Sequence, residues 1–224
     1  FRILAIDLPG HGASETPENL EFYETDFLVG IIEEIRMALK IEKLCLLGYS
    51  MGGRLVYSYA SKYRANIIGM IVESAGPGID DPGKRIERLK HDYLVASKIE
   101  KEGIPDFIKF WYSQPVFNTL AGNEAIFNKI IEYRINNNPL GLANMLRAFS
   151  QGTMPPCYDI LPLIEAKVLL LSGSLDQKYL SVNSYVHSLL KAADHIIIKD
   201  SGHNIHFEKP EKYIEVLKSF LMNC

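Results

Sequence analysis

Lys43–Tyr63, with the sequence KLCLLGYSMGGRLVYSYASKY, decides the fold. It opens on an apolar run typical of a strand buried on both faces, and it closes on the pattern of a helix. Gly48-Tyr-Ser-Met-Gly52, between the two, matches G-x-S-x-G. A strand-to-helix elbow is sharp and strained, so small residues flank its serine while the hydroxyl projects above the sheet. We therefore interpret Ser50 as a candidate nucleophile rather than as a helix N-cap between packing glycines.

Similar apolar runs elsewhere in the chain predict further strands, and helical patterns separate them. With Lys43–Gly48, the predicted strands are Arg2–Asp7, Ile67–Ser74, Lys167–Ser172 and His195–Lys199. The predicted helices between and after them are Tyr23–Lys40, Ser50–Tyr63, Leu175–Lys191 and Pro210–Met222. Alternating strands and helices indicate an α/β fold with a mostly parallel, doubly wound sheet.

One long stretch, from Gly76 to Ala166, interrupts this alternation. It carries no strand pattern, and we predict helices there that glycines and prolines separate. These are Lys84–Lys101, Ile104–Tyr112, Asn123–Asn136 and Pro139–Gln151. The predicted organisation is a core formed by residues 1–75 and 166–224, with a helical cap, residues 76–165, inserted at the carboxyl end of the sheet.

A serine hydroxyl needs a base, and in this kind of fold the chain order is serine, acid, histidine. His203 lies in the loop between the last predicted strand and the last predicted helix, where it can reach over the sheet. We favour it over His206, three residues later. Asp176 follows the end of the preceding strand and is the candidate acid, although an N-cap aspartate is common at such places. The weaker candidates are Asp159 and Asp200.

Several other residues stand at unusual positions for their chemistry. The Met51 amide lies at a helix N-terminus, where it can stabilise an oxyanion. Arg54 follows one helical turn after the serine, where its charge opposes the helix macrodipole. This position indicates an anionic ligand or a structural ion pair.

Arg134 continues the apolar stripe of its helix, so we expect it to face a cleft rather than a sealed core. Arg88 borders the apolar side of its own helix.

Composition limits the class of partner. The chain has 224 residues, 47% of them hydrophobic, and a formal net charge of -3, which favours a small-molecule ligand over nucleic acid. Three widely spaced cysteines fit neither a disulfide framework nor a metal site, and they indicate a reducing, cytoplasmic setting. No apolar run has the length of about 20 residues that a membrane span needs.

Short motifs carry a family resemblance. Asp7-Leu-Pro-Gly-His-Gly12, Gly48–Arg54 and Gly202–His206 resemble the α/β-hydrolase fold in general. Trp111-Tyr-Ser-Gln-Pro-Val-Phe117 and Arg134-Ile-Asn-Asn-Asn138 are more specific. Together these segments resemble the 2-succinyl-6-hydroxy-2,4-cyclohexadiene-1-carboxylate synthases of menaquinone biosynthesis, along nearly the whole chain.

The resemblance implies a carbon–oxygen lyase that eliminates pyruvate from a tricarboxylate without a metal or an organic cofactor. Ser50, activated by His203 and Asp176, would act as the base. Arg54, Arg88 and Arg134 match the anion-binding arginines of the family, and Tyr49 and Trp111 match residues that line its pocket. For Trp111, the only tryptophan, packing within the cap is the alternative interpretation.

The family also has a second oxyanion donor in a His-Gly loop after an earlier strand, and this sequence begins beyond that point. We therefore expect the N-terminal strands to be absent and the sequence to be part of a longer protein. Two other functions stay open. One is a carboxylesterase or carbon–carbon bond hydrolase with Ser50 as a covalent nucleophile, since a triad serves both chemistries. The other is a non-catalytic ligand-binding protein.

Overall fold

The fold is built around a parallel sheet, and the computed structural model describes residues 2–120 and 124–224. The strands are β1 Leu44–Tyr49, β2 Ile67–Glu73, β3 Lys167–Gly173 and β4 Ala193–Ile198. They lie in the order β1-β2-β3-β4, and each neighbouring pair is parallel. Their carboxyl ends therefore share one edge of the sheet.

Apart from the short helix Ile205–Glu208, which the sequence did not predict, the helices follow the predicted pattern with small differences at their ends. They are α1 Thr25–Ala38, α2 Met51–Tyr63, α3 Pro82–Tyr112, α4 Glu124–Arg134, α5 Pro139–Ala148, α6 Gln177–Leu189, α7 Ile205–Glu208 and α8 Pro210–Leu221. α3 joins two predicted helices across a kink at Gly103, whose φ is 79°, in the left-handed region that favours glycine. Asn123, the predicted start of α4, lies outside the described residues.

The prediction of a strand at Arg2–Asp7 is wrong. Residues 2–7 have no strand partner among the residues that the structure describes, so the sheet has four strands there rather than five. Ile3 is 88% exposed and Leu4 is 51% exposed. An apolar run predicts burial, but a strand also requires a neighbour for its backbone hydrogen bonds, and that neighbour cannot be read from the run itself.

Helices cover both faces of the sheet. On one face, Ile71, Leu169 and Leu171 pack with residues of α7 and α8, including Ile205 and Phe220. On the other face, α2 approaches Val72 closely at Gly53. Because successive strand residues point to opposite faces, burial on both sides explains why these strands are apolar throughout rather than alternating.

The chain divides into two compact units. Unit 1 comprises residues 1–28, 79–111 and 128–155, and unit 2 comprises residues 29–78, 112–127 and 156–224. Unit 2 contains the whole sheet with α2, α6, α7 and α8, while unit 1 contains α5 and most of α3 and α4. The division into a core and a cap formed by residues 76–165 stays a prediction.

Candidate active site

The elbow between β1 and α2 holds Ser50 in a strained conformation. Its φ is 48° and its ψ is -104°, a combination that a residue with a side chain rarely adopts. The Ser50 N–H donates a hydrogen bond to the carbonyl of Glu73 at the end of β2, at 2.9 Å. The neighbouring strand therefore fixes the backbone from which the serine hydroxyl projects.

The glycines of the elbow are not equivalent. A Cβ at Gly48 would lie 2.3 Å from the carbonyl carbon of Gly52, and a Cβ at Gly53 would lie 2.5 Å from the Cβ of Ala75. A Cβ at Gly52 would meet nothing within 4 Å. Close packing of α2 against β1 and β2 therefore requires the first and last of these glycines, whereas space alone does not require Gly52.

The structure brings Ser50, His203 and Asp176 together in unit 2. His203 Nε2 lies 3.1 Å from Ser50 Oγ, and His203 Nδ1 lies 2.7 Å from Asp176 Oδ2. Asp176 is 6% exposed and His203 is 4% exposed. The tautomer that donates Nδ1–H to Asp176 leaves Nε2 to accept the serine proton, which is the arrangement a general base needs.

The alternative candidate for the base and the alternative role of Asp176 can both be checked against their contacts. His206 Nδ1 lies 2.8 Å from Oε1 of the fully buried Glu73, so this histidine pairs with a different carboxylate. Asp176 is itself the N-cap of α6, as its Oδ1 accepts a hydrogen bond from the Tyr179 N–H at 3.2 Å. Capping the helix and contacting the histidine, which were competing interpretations of Asp176, are both present because the carboxylate has two oxygens.

Three aromatic rings surround the imidazole of His203. The ring centroids of Tyr49, Phe117 and Tyr179 lie 5.2, 5.7 and 5.1 Å from it. Tyr49 also donates a hydrogen bond from its hydroxyl to Asn204 Oδ1 at 2.7 Å. These rings limit the rotation of the imidazole and reduce the access of water to it.

Glu208, which the sequence did not single out, holds the loop around His203. Its carboxylate accepts hydrogen bonds from the N–H groups of Gly202, at 2.9 Å, and Asn204, at 3.3 Å, and from the Thr119 hydroxyl, at 3.1 Å. Gly173 lets this loop approach β3, because a Cβ there would lie 2.1 Å from the Gly202 carbonyl oxygen. The loop is thus fixed on both sides of the histidine.

Met51, the predicted oxyanion donor, is the first residue of α2 and is partly buried. The first N–H groups of a helix have no acceptor within the helix, and the helix dipole makes that end favourable for negative charge. Its backbone amide therefore suits an oxyanion formed near Ser50. This role stays a prediction.

The predicted anion-binding arginines have different surroundings. Arg54 is buried in the first turn of α2, in unit 2. Arg88, in unit 1, donates from Nε to the Asp92 carboxylate at 2.9 Å and from Nη1 to Gln151 Oε1 at 3.0 Å. Asp92 is 1% exposed. The Arg88 charge is therefore already paired, and any ligand would share it with Asp92.

Arg134 is the last residue of α4 and is exposed. It lies one turn after the buried Ile130 and outside a sealed core, and our expectation that it faces a cleft stays a prediction. A cation in the last turn is favourable for the helix dipole. Trp111, at the end of the unit 1 part of α3, is half-buried and its ring lies 5.4 Å from that of Phe107.

Across residues 2–120 and 124–224, no group of three or more His, Cys, Asp or Glu side chains is arranged to hold a metal ion. Within the same residues, no helix combines the length and apolar character required to cross a bilayer.

Comparison with known sequences identifies related proteins. The alpha/beta hydrolase fold family matches residues 1–210. A putative 2-succinyl-6-hydroxy-2,4-cyclohexadiene-1-carboxylate synthase of Bacillus subtilis is 35% identical over 98% of this chain and 81% of that protein. The 2-succinyl-6-hydroxy-2,4-cyclohexadiene-1-carboxylate synthase of Serratia proteamaculans is 32% identical over 98% of this chain and 83% of its own length.

Solved structures give similar results. MenH from S. aureus superposes with a TM-score of 0.93 at 29% identity, covering 97% of this chain and 82% of that one. A malate-bound thermophilic esterase from Thermogutta terrifontis has a TM-score of 0.84 at 21% identity, covering 97% and 78% of the two chains. At that lower identity the likeness shows the fold alone.

Proposed function

The chain belongs to the α/β-hydrolase fold family and, within it, to the family of 2-succinyl-6-hydroxy-2,4-cyclohexadiene-1-carboxylate synthases, and we propose that it catalyses the reaction of those synthases. The substrate is 2-succinyl-5-enolpyruvyl-6-hydroxy-3-cyclohexene-1-carboxylate, a tricarboxylate, and the second product is pyruvate. The observation that carries the proposal is the assembled Ser50–His203–Asp176 contact in a chain 35% identical to one such relative over nearly its whole length.

The triad acts as a base in this proposal. His203 Nε2 takes the Ser50 hydroxyl proton, and the serine oxygen removes a proton from the carbon next to the succinyl ketone. The ketone oxygen becomes enolate-like and is stabilised by the Met51 amide. Collapse of the enolate forms a new ring double bond, shifts the existing one and breaks the C–O bond to the enolpyruvyl group. The departing enolate takes up a proton and becomes pyruvate.

Substrate binding is assigned to cationic and aromatic side chains. Arg54, Arg88 and Arg134 bind substrate carboxylates through charge-assisted hydrogen bonds. Tyr49 and Trp111 line the pocket. Support for Arg54 comes from its place one helical turn after Ser50, and support for Tyr49 comes from its ring contact with His203.

The alternative of an ester or carbon–carbon bond hydrolase uses the same triad with Ser50 as a covalent nucleophile, for which a Ser50–His203 separation of 3.1 Å is equally suitable. The two functions are separated by incubating the purified protein with the pathway substrate and, in parallel, with a p-nitrophenyl ester. We expect pyruvate release to exceed ester turnover. Fast ester turnover without pyruvate release would reverse the assignment.

A further inference from the structure

A buried acid, Glu73, contacts both the elbow that carries Ser50 and the helix that follows the His203 loop. Glu73 ends β2, pairs with Tyr49 in the parallel register and is 0% exposed. Its main-chain carbonyl accepts the hydrogen bond from the Ser50 N–H at 2.9 Å. Its carboxylate accepts from the His206 N–H at 3.2 Å and contacts His206 Nδ1 at 2.8 Å. One residue thus holds the nucleophile through its backbone and the histidine loop through its side chain.

The contacts of Glu73 extend to a tyrosine on α8. Tyr213 is hydrogen-bonded to Glu73, and its pKa is raised by burial and by that carboxylate, so the phenol stays protonated and donates. The His206 ring in turn packs edge-on against Tyr49 at 4.7 Å. The carboxylate of Glu73 is therefore engaged with donors from both His206 and Tyr213.

Glu208, in α7, contacts the loop that carries His203. Its two oxygens accept from the N–H groups of Gly202 and Asn204, the residues directly before and after His203. Between them, Glu73 and Glu208 bind the backbone N–H groups of residues 202, 204 and 206. The backbone from Gly202 to His206, which runs from the His203 loop into α7, is thus held at every second residue by a carboxylate.

We propose that Glu73 and Glu208 are positioning residues that set the distance and angle between Ser50 and His203. Neither touches the reacting atoms. They act by fixing the loop that carries His203 relative to the elbow that carries Ser50. A carboxylate suits each place because both of its oxygens accept, whereas a glutamine presents one acceptor and one donor. At Glu208 that donor would face a backbone N–H group, and at Glu73 it would face the His206 ring or the Tyr213 hydroxyl, which donate to the carboxylate. This inference rests on the triad being catalytic, but not on the identity of the substrate.

The test measures Ser50 reactivity rather than pyruvate. A p-nitrophenyl alkylphosphonate forms a bond from Ser50 Oγ to phosphorus, loses p-nitrophenolate, and transfers the serine proton to His203. Initial release of p-nitrophenolate at several reagent concentrations gives a maximal labelling rate and a half-saturating concentration. Glu73→Gln and Glu208→Gln are compared with wild type and with Glu211→Gln, a matched exchange at an exposed position of α8. Thermal unfolding of each variant gives its folded fraction.

We expect both positioning variants to lower the maximal labelling rate by about ten- to a hundredfold, since small misplacements of catalytic groups have effects of this order. The half-saturating concentration should stay within about twofold, because the reagent still binds the same surface. Glu211→Gln should label like wild type. If Glu73→Gln does not fold, His206→Phe removes the ring donor to Glu73 while keeping an aromatic ring against Tyr49, and it should also slow labelling.

The proposal is overturned if the folded glutamine variants label at wild-type maximal rates, or if the loss of rate equals the loss of folded protein. It is also overturned if wild-type Ser50 is not labelled, because the triad would then not be assembled for reaction. Rapid labelling of wild type without pyruvate release would instead reject the proposed function and leave the positioning role intact. Pyruvate release is therefore measured alongside labelling.

Discussion

Asp176 and His203 form a buried pair in which the carboxylate has two tasks. Oδ2 lies 2.7 Å from His203 Nδ1, while Oδ1 caps α6 through the Tyr179 N–H at 3.2 Å. The cap fixes the carboxylate on the first turn of a helix packed against β3, and this holds its other oxygen toward the histidine. The acid is thus positioned by secondary structure before it orients the imidazole.

Asp176→Asn separates these tasks. Asparagine is as good an N-cap as aspartate, so the free energy of unfolding should change little, but the amide stabilises the wrong imidazole tautomer. We expect turnover to fall by about four orders of magnitude. Asp176→Ala is the control, since it should also lose about 1 kcal/mol of stability with the cap. Steady-state kinetics and urea unfolding measure both effects, and near-normal turnover of Asp176→Asn would refute the acid's role.

The elbow glycines should differ in their tolerance of substitution. Gly48→Ala places a methyl group 2.3 Å from backbone atoms, which cannot move without displacing the nucleophile turn. We expect it to lose about 1–3 kcal/mol of stability or to fail to fold. Gly52→Ala, two residues after Ser50, meets open space and should change stability by less than about 1 kcal/mol. Urea unfolding compares the pair, and equal losses would contradict the packing described for the elbow.

Replacing Arg134 and replacing Arg88 with alanine should affect the stability of the protein differently. Arg134 is exposed, so Arg134→Ala should leave the unfolding midpoint unchanged while kcat/KM for the tricarboxylate falls about ten- to a hundredfold. Arg88→Ala should also lose up to about 3 kcal/mol, because it leaves the buried Asp92 without its cation. Activity on a neutral ester, if present, is the control. Equal loss on neutral and anionic substrates would reject a binding role for Arg134.

Local patterns predicted much of this fold, because apolar runs and strand-to-helix transitions are encoded by neighbouring residues. The pairing of a strand is not local, which is why Arg2–Asp7 was predicted wrongly as a strand. Chain order was enough to nominate His203 and Asp176. It could not find Glu73 or Glu208, since their partners lie around the His203 loop and α7, whose conformation no residue pattern specifies.

Ionisation of Glu33, in unit 2, should make the free energy of unfolding depend on pH in the acid range. Hydrogen bonds from Arg36, and then from Tyr59 and Asn66, outweigh burial and lower the pKa of this carboxyl from 4.5 to about 2. Its ionised form therefore stabilises the folded state at pH values above 4.5, and that contribution is lost as the pH falls through about 2. Wild type should be more stable than Glu33→Gln near neutral pH, and the difference should shrink across this acid range. A difference in the free energy of unfolding between the two proteins that stays constant with pH would contradict this role of Glu33.

The proposed lyase activity is tested by measuring pyruvate release from 2-succinyl-5-enolpyruvyl-6-hydroxy-3-cyclohexene-1-carboxylate by wild type and by Ser50→Ala. Pyruvate is followed through a coupled lactate dehydrogenase assay, and binding of the substrate to each protein is measured by calorimetry. We expect pyruvate release by wild type, a loss of at least about a thousandfold in Ser50→Ala, and similar substrate binding to both proteins. Near-wild-type turnover by Ser50→Ala, or no pyruvate from a wild-type protein that binds the substrate, would contradict it.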